Sequence, residues 1–570
     1  MALRLATSTF RILEGEALDG RLRMRESVRD AAQSIFERPL AAAIVITSAA
    51  ALFFFHLGTY GLWEPDEARY AEIAREMIES RDFIVPHLNY VAYVEKPPLL
   101  FWATTPWFEI FGANTLAARV TPALAALGCV VATYLFVAKT LDRRSGVLSA
   151  AILTTSPIFA VMAQVLTTDM ILTLWITIAT YAFFLSWLEG GRWRWLFYAA
   201  LGLGALTKGP VALLIPAASA VVFLWTRGEL AAGLRRLHLL SGLALVAAIA
   251  APWFVAVSVR EPGFVSFYLL GEHFRRVFEP GFSHQEPIYF YLPVILGGML
   301  PWTMLMPLIR TKARPVASYC VIAASLTIGL FSLASGKLIP YVLPAVPPLA
   351  ILIADGALAY IEMPKARSRL GLAPIALLPV IVSMGLIAWL IYGGTQEGYP
   401  ALIRGPLKAA AVIVGLGGAA ATFSFRRSGN ACMTALAIMS AALVITASYA
   451  RIDLEPMRSY DRLSREVAQK RPDAELISYG RYVQALPFYA KRRVILIGNP
   501  SELRFGAEHD RDSKEFFYPN DLDLIGLWKK KAGIVLVIDD RDLIRLAPQL
   551  GAFELIATEN HKRAVANGSK

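Results

Sequence analysis

Long apolar runs recur along most of this 570-residue chain, and they constrain its fold more than any other feature. A helix needs about 20 apolar residues to cross the hydrocarbon core of a bilayer. With 56% hydrophobic residues and a mean hydropathy of +0.50, the chain is also too apolar for a soluble protein of its size. We therefore predict a polytopic α-helical membrane protein. Its spans are predicted at 40–58, 115–140, 146–163, 169–188, 194–207, 210–226, 237–258, 288–309, 315–334, 339–360, 370–392, 405–425 and 431–450, thirteen in all.

The charged segments between these runs predict how the chain is oriented. If the N-terminus is cytoplasmic, the cytoplasmic loops are DRRSG, EGGRWRW, TRGELAAGLRRLH, RTKARP, EMPKARSRL and FRRSGN, and all of them are basic. Lys- and Arg-rich loops remain on the cytoplasmic side, so orientation accounts for much of the net charge of +12 without a nucleic acid partner. The arrangement requires an odd number of spans. The run at 97–112, interrupted by Pro106 and Glu109, is predicted to be a re-entrant or surface helix.

Three regions follow from this pattern. The Arg-rich segment 1–38 is predicted to be a cytoplasmic leader, with the character of an interfacial amphipathic helix. Residues 39–450 form the predicted transmembrane domain, whose long outer loops are 59–114 and 259–287. Residues 451–570 are predicted to form an outer α/β domain, because the helices DRLSREVAQK and DRDLIRLAPQL alternate with the strands ELISYG, RRVILIG, AGIVLVID and FELIATE. This domain contains neither G-x-G-x-x-G nor a P-loop.

Ionisable residues gather at the predicted outer face. The first outer loop contains TYGLWEPDEARYAEIAREMIESRDFIVPHLNYVAYVEKPPLLF, and Asp169, Lys208 and Lys337 lie beside apolar runs on the same side. Charges next to hydrocarbon are costly, so such residues usually line a water-filled cavity or pair with a ligand. The first loop contributes Glu64, Asp66, Glu67, Arg69, Glu95 and Lys96, and the loop at 259–287 contributes Glu272, His273, Arg275, Arg276 and His284.

The carboxylates Asp66 and Asp169 allow two interpretations. The motif W-E-P-D-E-A-R also fits a helix start, with Pro65 early and acids near the positive end of the helix dipole. Asp169 could likewise cap the span that follows it. Because both lie on separate loops at one membrane face, a functional pair is the alternative, although spacing alone does not show that they meet.

The cations at this face also allow two interpretations. Lys208 and Lys337 each lie between two spans with almost no loop, so they either snorkel to the interface or bind a phosphate. Arg69, Lys96 and Arg275 add positive charge on the side where the positive-inside rule does not expect it. An anionic lipid headgroup would explain this excess.

A metal site is a weaker interpretation of the same face. Glu95, His273 and His284 could together hold a divalent ion such as Zn²⁺, but no ligand spacing supports the set over an ordinary polar loop. The three cysteines all lie inside apolar runs and are predicted to be small buried side chains.

The first-loop segment GLWEPDEARYAEIAREMIESRDFIVPHLNYVAYVEKPPLLFW closely resembles that of the bacterial aminoarabinose transferases of lipid A. These belong to the broader GT-C family of polyprenyl-phosphate-dependent glycosyltransferases, which includes the protein O-mannosyltransferases. TTDM, LTKGP and KLIPYVLPAVPPLAIL are arranged similarly, and the resemblance covers nearly the whole chain.

The resemblance implies transfer of aminoarabinose from undecaprenyl phosphate to a lipid A phosphate, at the periplasmic face of the bacterial inner membrane. The membrane lipids supply both substrates, no cofactor is required, and resistance to polymyxin-type peptides follows. Asp66 and Asp169 would be the carboxylates at the reaction centre. Phosphates would be held by Arg69, Lys96, Lys208 and Lys337, with Tyr70, Tyr93 and Tyr341 lining the pocket.

Two rival functions remain at this point. A sibling enzyme could transfer another sugar from a polyprenyl phosphate to a protein hydroxyl or a different glycan. A lipid transporter without covalent chemistry is less consistent with the sequence, because transporters often contain internal repeats and this chain contains none at a fixed period.

Overall fold

The computed structural model describes residues 39–268, 271, 285–310, 314–362, 381–382, 384–385 and 404–568. The predicted leader 1–38 therefore lies outside the described residues. Up to residue 458 the helices are α1 (Pro39–Phe54), α2 (Asp66–Ser80), α3 (Leu99–Phe111), α4 (Thr115–Thr140), α5 (Arg143–Thr155), α6 (Pro157–Met162), α7 (Thr168–Glu189), α8 (Trp193–Lys208), α9 (Val211–Thr226), α10 (Leu230–Arg236), α11 (Leu239–Arg260), α12 (Tyr291–Gly298), α13 (Pro315–Leu333), α14 (Val346–Ile361), α15 (Arg404–Arg427) and α16 (Gly429–Arg458), with 3-10 helices at Trp302–Leu308 and Ile339–Ala345.

The apolar runs form helices that could cross a membrane, as the sequence predicts. Among the described residues seven helices are long and apolar enough, or eight if one bent pair counts as a single span. Two further predicted spans, α1 and α9, are apolar helices of 16 residues each. The predicted span at 370–392 lies almost entirely outside the described residues, so the total of thirteen stays a prediction. The cysteines Cys129, Cys320 and Cys432 are buried and free, as expected.

Two predicted spans are not continuous helices. The run at 146–163 divides into α5 and α6 because Pro157 follows Ser156, and the residue before a proline is disfavoured in helical backbone. The run at 288–309 forms α12 and a 3-10 helix that meet at 108° around Pro301. Neither run is one continuous helix, and whether each crosses the membrane as a single span stays a prediction.

The first outer loop folds into two helices and a short hairpin. Helix α2 follows Pro65, and the strands β1 (His87–Leu88) and β2 (Val91–Ala92) pair antiparallel. The run at 97–112 forms α3, a helix of 13 residues that is too short to span a bilayer core. This outcome agrees with the prediction of a re-entrant or surface helix.

The C-terminal segment forms a mixed sheet flanked by helices, and the predicted helices and strands are confirmed. Within residues 459–568 the sheet order is β5-β4-β3-β6-β8-β7, with β3 parallel to β4 and β6, and β8 antiparallel to β6 and β7. The elements are α17 (Asp461–Lys470), β3 (Glu475–Gly480), α18 (Ala485–Ala490), β4 (Val494–Gly498), α19 (Arg504–His509), β5 (Phe517–Tyr518), α20 (Asp521–Lys530), β6 (Ile534–Asp539), α21 (Asp540–Leu550), β7 (Phe553–Glu559) and β8 (Lys562–Asn567), with 3-10 helices at Ser501–Leu503 and Arg511–Glu515.

The C-terminal domain is hydrogen-bonded to the first outer loop. The buried side chain of Asn89 donates to the Val494 carbonyl and accepts from the Val494 backbone N–H, both at 2.8 Å. The carboxylate of Glu64 accepts from the backbone N–H groups of Gln484 and Ala485, at 3.1 and 2.6 Å. These contacts hold the sheet over the loop, so that any site at the loop is also covered by the domain.

Candidate active site

A cavity of about 1040 Å³ lies where the apolar helices, the first outer loop and the C-terminal domain meet. Of the residues that the sequence singles out, nine are in its wall. They are Glu64, Asp66, Arg69, Tyr70, Glu95, Lys96, Asp169, Lys208 and Tyr341. The two carboxylates proposed from separate loops therefore line the same space.

Helix α2 presents Asp66 and Arg69 to this cavity. The helix begins at Asp66, so the helix-start interpretation is correct, and Asp66 also forms an ion pair with Arg69 one turn later. Its side chain stays 45% exposed. The second arm of the Arg69 guanidinium lies 2.8 Å from Glu502 of the C-terminal domain. Asp66 is thus both a first-turn acid and a carboxylate accessible from the cavity.

Asp169 and Lys208 meet across two neighbouring helices. Asp169 lies in the first turn of α7, and Lys208 is the last residue of α8, which packs along α7. Gly209 follows with a φ of +68°, a conformation that favours glycine after a helix end and turns the chain towards α9. The Lys208 ammonium lies 2.6 Å from the Asp169 carboxylate and 4.3 Å from the centre of the Tyr341 ring. A buried carboxylate therefore holds a lysine in the cavity wall.

Glu95 and Lys96 form the next part of the wall. The Lys96 ammonium donates to the Glu95 carbonyl at 3.2 Å and lies 4.0 Å from its carboxylate. Tyr93 is buried and is not among the residues that line the cavity, so its predicted part in lining the pocket stays a prediction. Its hydroxyl instead donates to Glu95 at 3.3 Å, so Tyr93 orients a residue that faces the cavity.

Tyr70 lies among these charges. Burial raises the pKa of its phenol well above the ordinary value, and the negative charges of Asp66, Asp169 and Glu95 act in the same direction, against Arg69. Tyr70 therefore stays protonated and can donate a hydrogen bond.

Lys337, predicted to hold a phosphate, is not among the residues that line the cavity. Its ammonium donates to the carbonyls of Glu286 and Ala334, both at 2.8 Å, and the residue is buried. The neighbours Gly336 and Leu338 do line the cavity. Because backbone carbonyls already receive two of its hydrogens, Lys337 shapes the chain at this position, and its role as a phosphate ligand stays a prediction.

Three further predicted site residues, Arg275, His273 and His284, lie outside the described residues. In the part of the chain that the structure describes, no group of three His, Cys, Asp or Glu side chains could hold a metal ion. The predicted ion would therefore depend on His273 and His284, since Glu95 is bonded to Tyr93 and lies beside Lys96.

The C-terminal domain contributes residues that the sequence analysis missed. They follow the carboxyl ends of the parallel strands: Arg481 comes after β3, Glu502 after β4, and Asp539 ends β6. Lys562 pairs with Asp539 at the start of β8 and lines the same edge. Open sheets with parallel strands bind ligands outside the carboxyl ends of the strands, so these polar residues directly after predicted strands were a usable signal.

Glu64 faces this edge of the sheet from the first loop. Burial raises the pKa of its carboxyl to about 7, although the N–H bonds from Ala485 and Gln484 and the charges of Arg481 and Lys562 lower it. Near neutral pH its charge is therefore only partly present.

Glu64 should make the protein less stable as pH rises from about 4.5 to about 7. In this window the folded protein still binds a proton that the unfolded chain, with its ordinary carboxyl pKa, has already lost. We therefore expect the thermal unfolding midpoint of the wild type, minus that of Glu64→Gln, to be smaller at about pH 8 than at about pH 5. An equal difference between the two proteins at both pH values would contradict this expectation.

A buried ion pair fixes the first loop against the membrane helices. Arg119 of α4 donates to both carboxylate oxygens of Glu67, at 2.9 and 2.8 Å, and neither side chain is exposed by more than 2%. The remaining Arg119 hydrogens are accepted by the carbonyls of Leu57, Tyr60 and Gly61. The Glu67 carboxylate also accepts from the Leu166 backbone N–H, three residues before Asp169. This pair therefore positions both carboxylate-bearing segments of the site.

Comparison with known proteins places this architecture in a family. Residues 95–255 match the model of dolichyl-phosphate-mannose-protein mannosyltransferases, and residues 463–567 match the aminoarabinose transferase C-terminal domain. The chain is 30% identical over 546 residues to the undecaprenyl phosphate-alpha-4-amino-4-deoxy-L-arabinose arabinosyl transferase of Shewanella sediminis, covering 90% of this chain and 97% of that protein. The chain belongs to this family of arabinosyl transferases. The relative from Aeromonas salmonicida, with the same name, is 35% identical over 54% of this chain and 58% of its own length.

A solved structure of an arabinosyl transferase agrees in fold. The crystal structure of ArnT from Cupriavidus metallidurans, bound to undecaprenyl phosphate, superposes with a TM-score of 0.82 at 26% identity and covers 92% of this chain and 98% of that one. The transmembrane GT-C fold with a C-terminal α/β domain is thereby confirmed.

Both family-matched regions of the arabinosyl transferase contribute to the cavity. The first contains Lys96, Asp169 and Lys208, and the second contains Arg481 and Lys562. The space is therefore walled by two parts of the family architecture that are more than 200 residues apart in the chain.

Proposed function

We propose that this protein transfers 4-amino-4-deoxy-L-arabinose from undecaprenyl phosphate to a phosphate of lipid A. The observation that carries the proposal is one cavity lined by Asp66, Arg69 and Lys96 of the first loop together with Asp169 and Lys208, which lie at the ends of apolar helices. A sugar phosphate linked to a membrane lipid needs a binding site whose cations lie close to the membrane surface.

The cations stabilise the phosphate that leaves. The bond between the sugar C1 and the donor phosphate oxygen breaks, the electron pair stays on that phosphate, and an oxygen of the acceptor phosphate bonds to C1. Positive groups already in place where charge develops lower the barrier for such a step. Lys208 is held for this purpose by the Asp169 carboxylate at 2.6 Å. Arg69 and Lys96 supply further charge from the first loop.

Asp66 has a different task from that of a general base. A phosphate acceptor is already an anion at neutral pH, so little is gained by removing a proton from it. The accessible carboxylate of Asp66 instead orients the donor sugar or pairs with its amino group. The ion pair with Arg69 keeps that carboxylate directed towards the cavity.

The location follows from the basic loops. Placing them in the cytoplasm puts the cavity and the C-terminal domain on the periplasmic side of the bacterial inner membrane. Addition of a cationic sugar there lowers the negative charge of lipid A, so cationic peptides such as polymyxin bind less well to the modified surface.

Lipid A from a strain that makes the donor but lacks the transferase should gain one or two aminopentose units when this protein is expressed. Mass spectrometry of extracted lipid A gives the readout. The gain should be absent with Asp66→Ala and strongly reduced with Asp66→Asn, because both remove the charge that contacts the donor. Glu79→Gln is the matched control, since Glu79 ends the same helix, pairs with Arg75 and is outside the cavity.

Unmodified lipid A from a well-expressed, inserted protein would overturn this function and favour transfer of another sugar to a protein or glycan. If Asp66→Asn transferred the sugar at the full rate, the proposed reaction would stand. The Asp66 charge would then neither orient the donor sugar nor pair with its amino group.

No metal is needed for the proposed transfer, because Arg69, Lys96 and Lys208 already supply the positive charge. The purified protein should therefore keep its transfer rate after treatment with EDTA. A loss of rate that Zn²⁺ restores would instead support a divalent ion on Glu95, His273 and His284, and His273→Ala would then abolish the restoration.

A further inference from the structure

Lys562 is a buried cation in the cavity wall. It is 2% exposed, and its ammonium makes no hydrogen bond to any residue that the structure describes. The Asp539 carboxylate lies 3.3 Å away but is outside hydrogen-bond geometry. A buried charged group without hydrogen bonds is costly, so its position in a cavity wall favours an anionic ligand there.

Other basic groups surround the same part of the cavity. Arg481, which follows β3, is exposed, and Arg458 ends α16. His561 precedes Lys562 and lies 3.1 Å from Asp539. We refer to Arg481 and Lys562 as the edge cations, because both lie at the carboxyl edge of the C-terminal sheet.

The edge cations are distinct from the group around Asp169. The edge cations belong to the C-terminal sheet, next to β3 and on β8, whereas Asp169 and Lys208 lie at the ends of α7 and α8. One group of charges is therefore carried by the C-terminal domain and the other by apolar helices. The ion pair between Arg69 and Glu502 connects the first loop with the C-terminal domain.

A transfer between two phosphates uses two anion sites in one cavity. The donor phosphate is tied to a polyprenyl chain in the membrane, so it belongs at the helix ends with Lys208. The acceptor phosphate is carried on a sugar headgroup that reaches away from the acyl chains. Resting on the function proposed above, we propose that the edge cations Arg481 and Lys562 bind the acceptor phosphate, and that the C-terminal domain is the acceptor-recognition element.

Glu64 fits this assignment. It faces the edge cations, and burial raises the pKa of its carboxyl to about 7, so it can take up a proton when an anion binds nearby. The repulsion between this carboxyl and a phosphate is then reduced. A carboxyl with an ordinary pKa at that position would remain charged and oppose the ligand.

The test uses the full-length protein in detergent with two variants. Arg481→Gln changes an exposed side chain, and Lys562→Met removes the buried charge while nearly keeping the side-chain length. Lys531→Met is the matched control, because Lys531 pairs with Glu475 at the opposite edge of the same sheet. If Lys562→Met does not fold, Arg481→Gln still decides the question.

Each edge variant should raise the KM for lipid A about tenfold or more, since a charge-assisted hydrogen bond to phosphate is lost. The KM for the undecaprenyl-phosphate donor should stay within about twofold of the wild type. Wild-type protein should bind lipid A stripped of its phosphates as weakly as the edge variants bind intact lipid A.

An edge variant with wild-type KM for lipid A, or with a raised KM for the donor alone, would overturn this inference. The inference would also be overturned if Lys531→Met raised the KM for lipid A as much as the edge variants do. If the wild type transfers no sugar to lipid A at all, the proposed function fails instead, which separates the two failures.

Discussion

Replacing Lys208 with methionine is expected to lower kcat by a factor of about 10²–10³, which is the effect of removing one preorganised group that stabilises transition-state charge. The Lys208 ammonium is held 2.6 Å from Asp169 and lines the cavity, so the leaving phosphate would lose a positioned cation. Asp169→Asn should have a smaller effect, because the lysine keeps its charge but loses the carboxylate that positions it. The rate of sugar transfer from the polyprenyl donor to lipid A, measured with purified protein, gives both values.

The control is Lys139→Met. Lys139 pairs with Glu189 at 2.8 Å, but both side chains are 40% exposed, and neither lines the cavity. This variant should keep its activity within about twofold, because exposed ion pairs contribute little. A Lys208→Met protein that elutes as a folded species and turns over at the wild-type rate would show that Lys208 does not stabilise the leaving group.

Replacing Arg119 with alanine is expected to lower the free energy of unfolding by about 3–5 kcal/mol, the typical cost of removing one partner of a buried ion pair. The Glu67 carboxylate would remain buried without its cation, and three loop carbonyls would lose their donor. Thermal unfolding in detergent should show a large drop in the midpoint. The rate of sugar transfer should also be lower than that of the wild type at temperatures where the variant is still folded. The reason is that Glu67 holds the first loop and also binds Leu166, which lies near Asp169.

Arg465→Ala serves as the comparison. Its guanidinium forms an exposed pair with Asp461 in the C-terminal domain, and its loss should cost about 1 kcal/mol or less. Glu67→Gln should lie between the two, because the amide can still accept one hydrogen bond from Arg119. If Arg119→Ala unfolds at the same temperature as Arg465→Ala, the pair does not hold the loop as described.

Much of the site could be predicted because charged residues beside apolar runs are costly to place in hydrocarbon and therefore usually line a polar cavity. Asp66, Lys96, Asp169 and Lys208 were found from that argument, and all four line one cavity. Tyr93 and Lys337 are not among the residues that line the cavity, and their predicted roles in the site stay predictions. Both are buried and hydrogen-bonded to neighbours, Tyr93 to Glu95 and Lys337 to two backbone carbonyls, and sequence spacing does not predict such contacts.

The residues of the C-terminal domain were missed for a different reason. Arg481 and Lys562 lie on strands or turns that are ordinary in sequence, and only the order of the sheet brings them to one edge. The hydrogen bonds between Asn89 and Val494 then place that edge over the first loop. The second fact depends on a contact between segments 405 residues apart.

The sequence by itself determined the membrane-spanning character, the alternation of helices and strands after residue 450, and most of the charged residues that line the cavity. These follow from the length and period of apolar runs and from the sign of the loop charges, which are local properties of the chain. Only the tertiary structure decided that Lys208 meets Asp169, that Arg119 holds Glu67, and that the C-terminal sheet closes the cavity. Spacing determines which side of a helix or membrane a residue occupies, but the distance between two separate elements depends on how they pack.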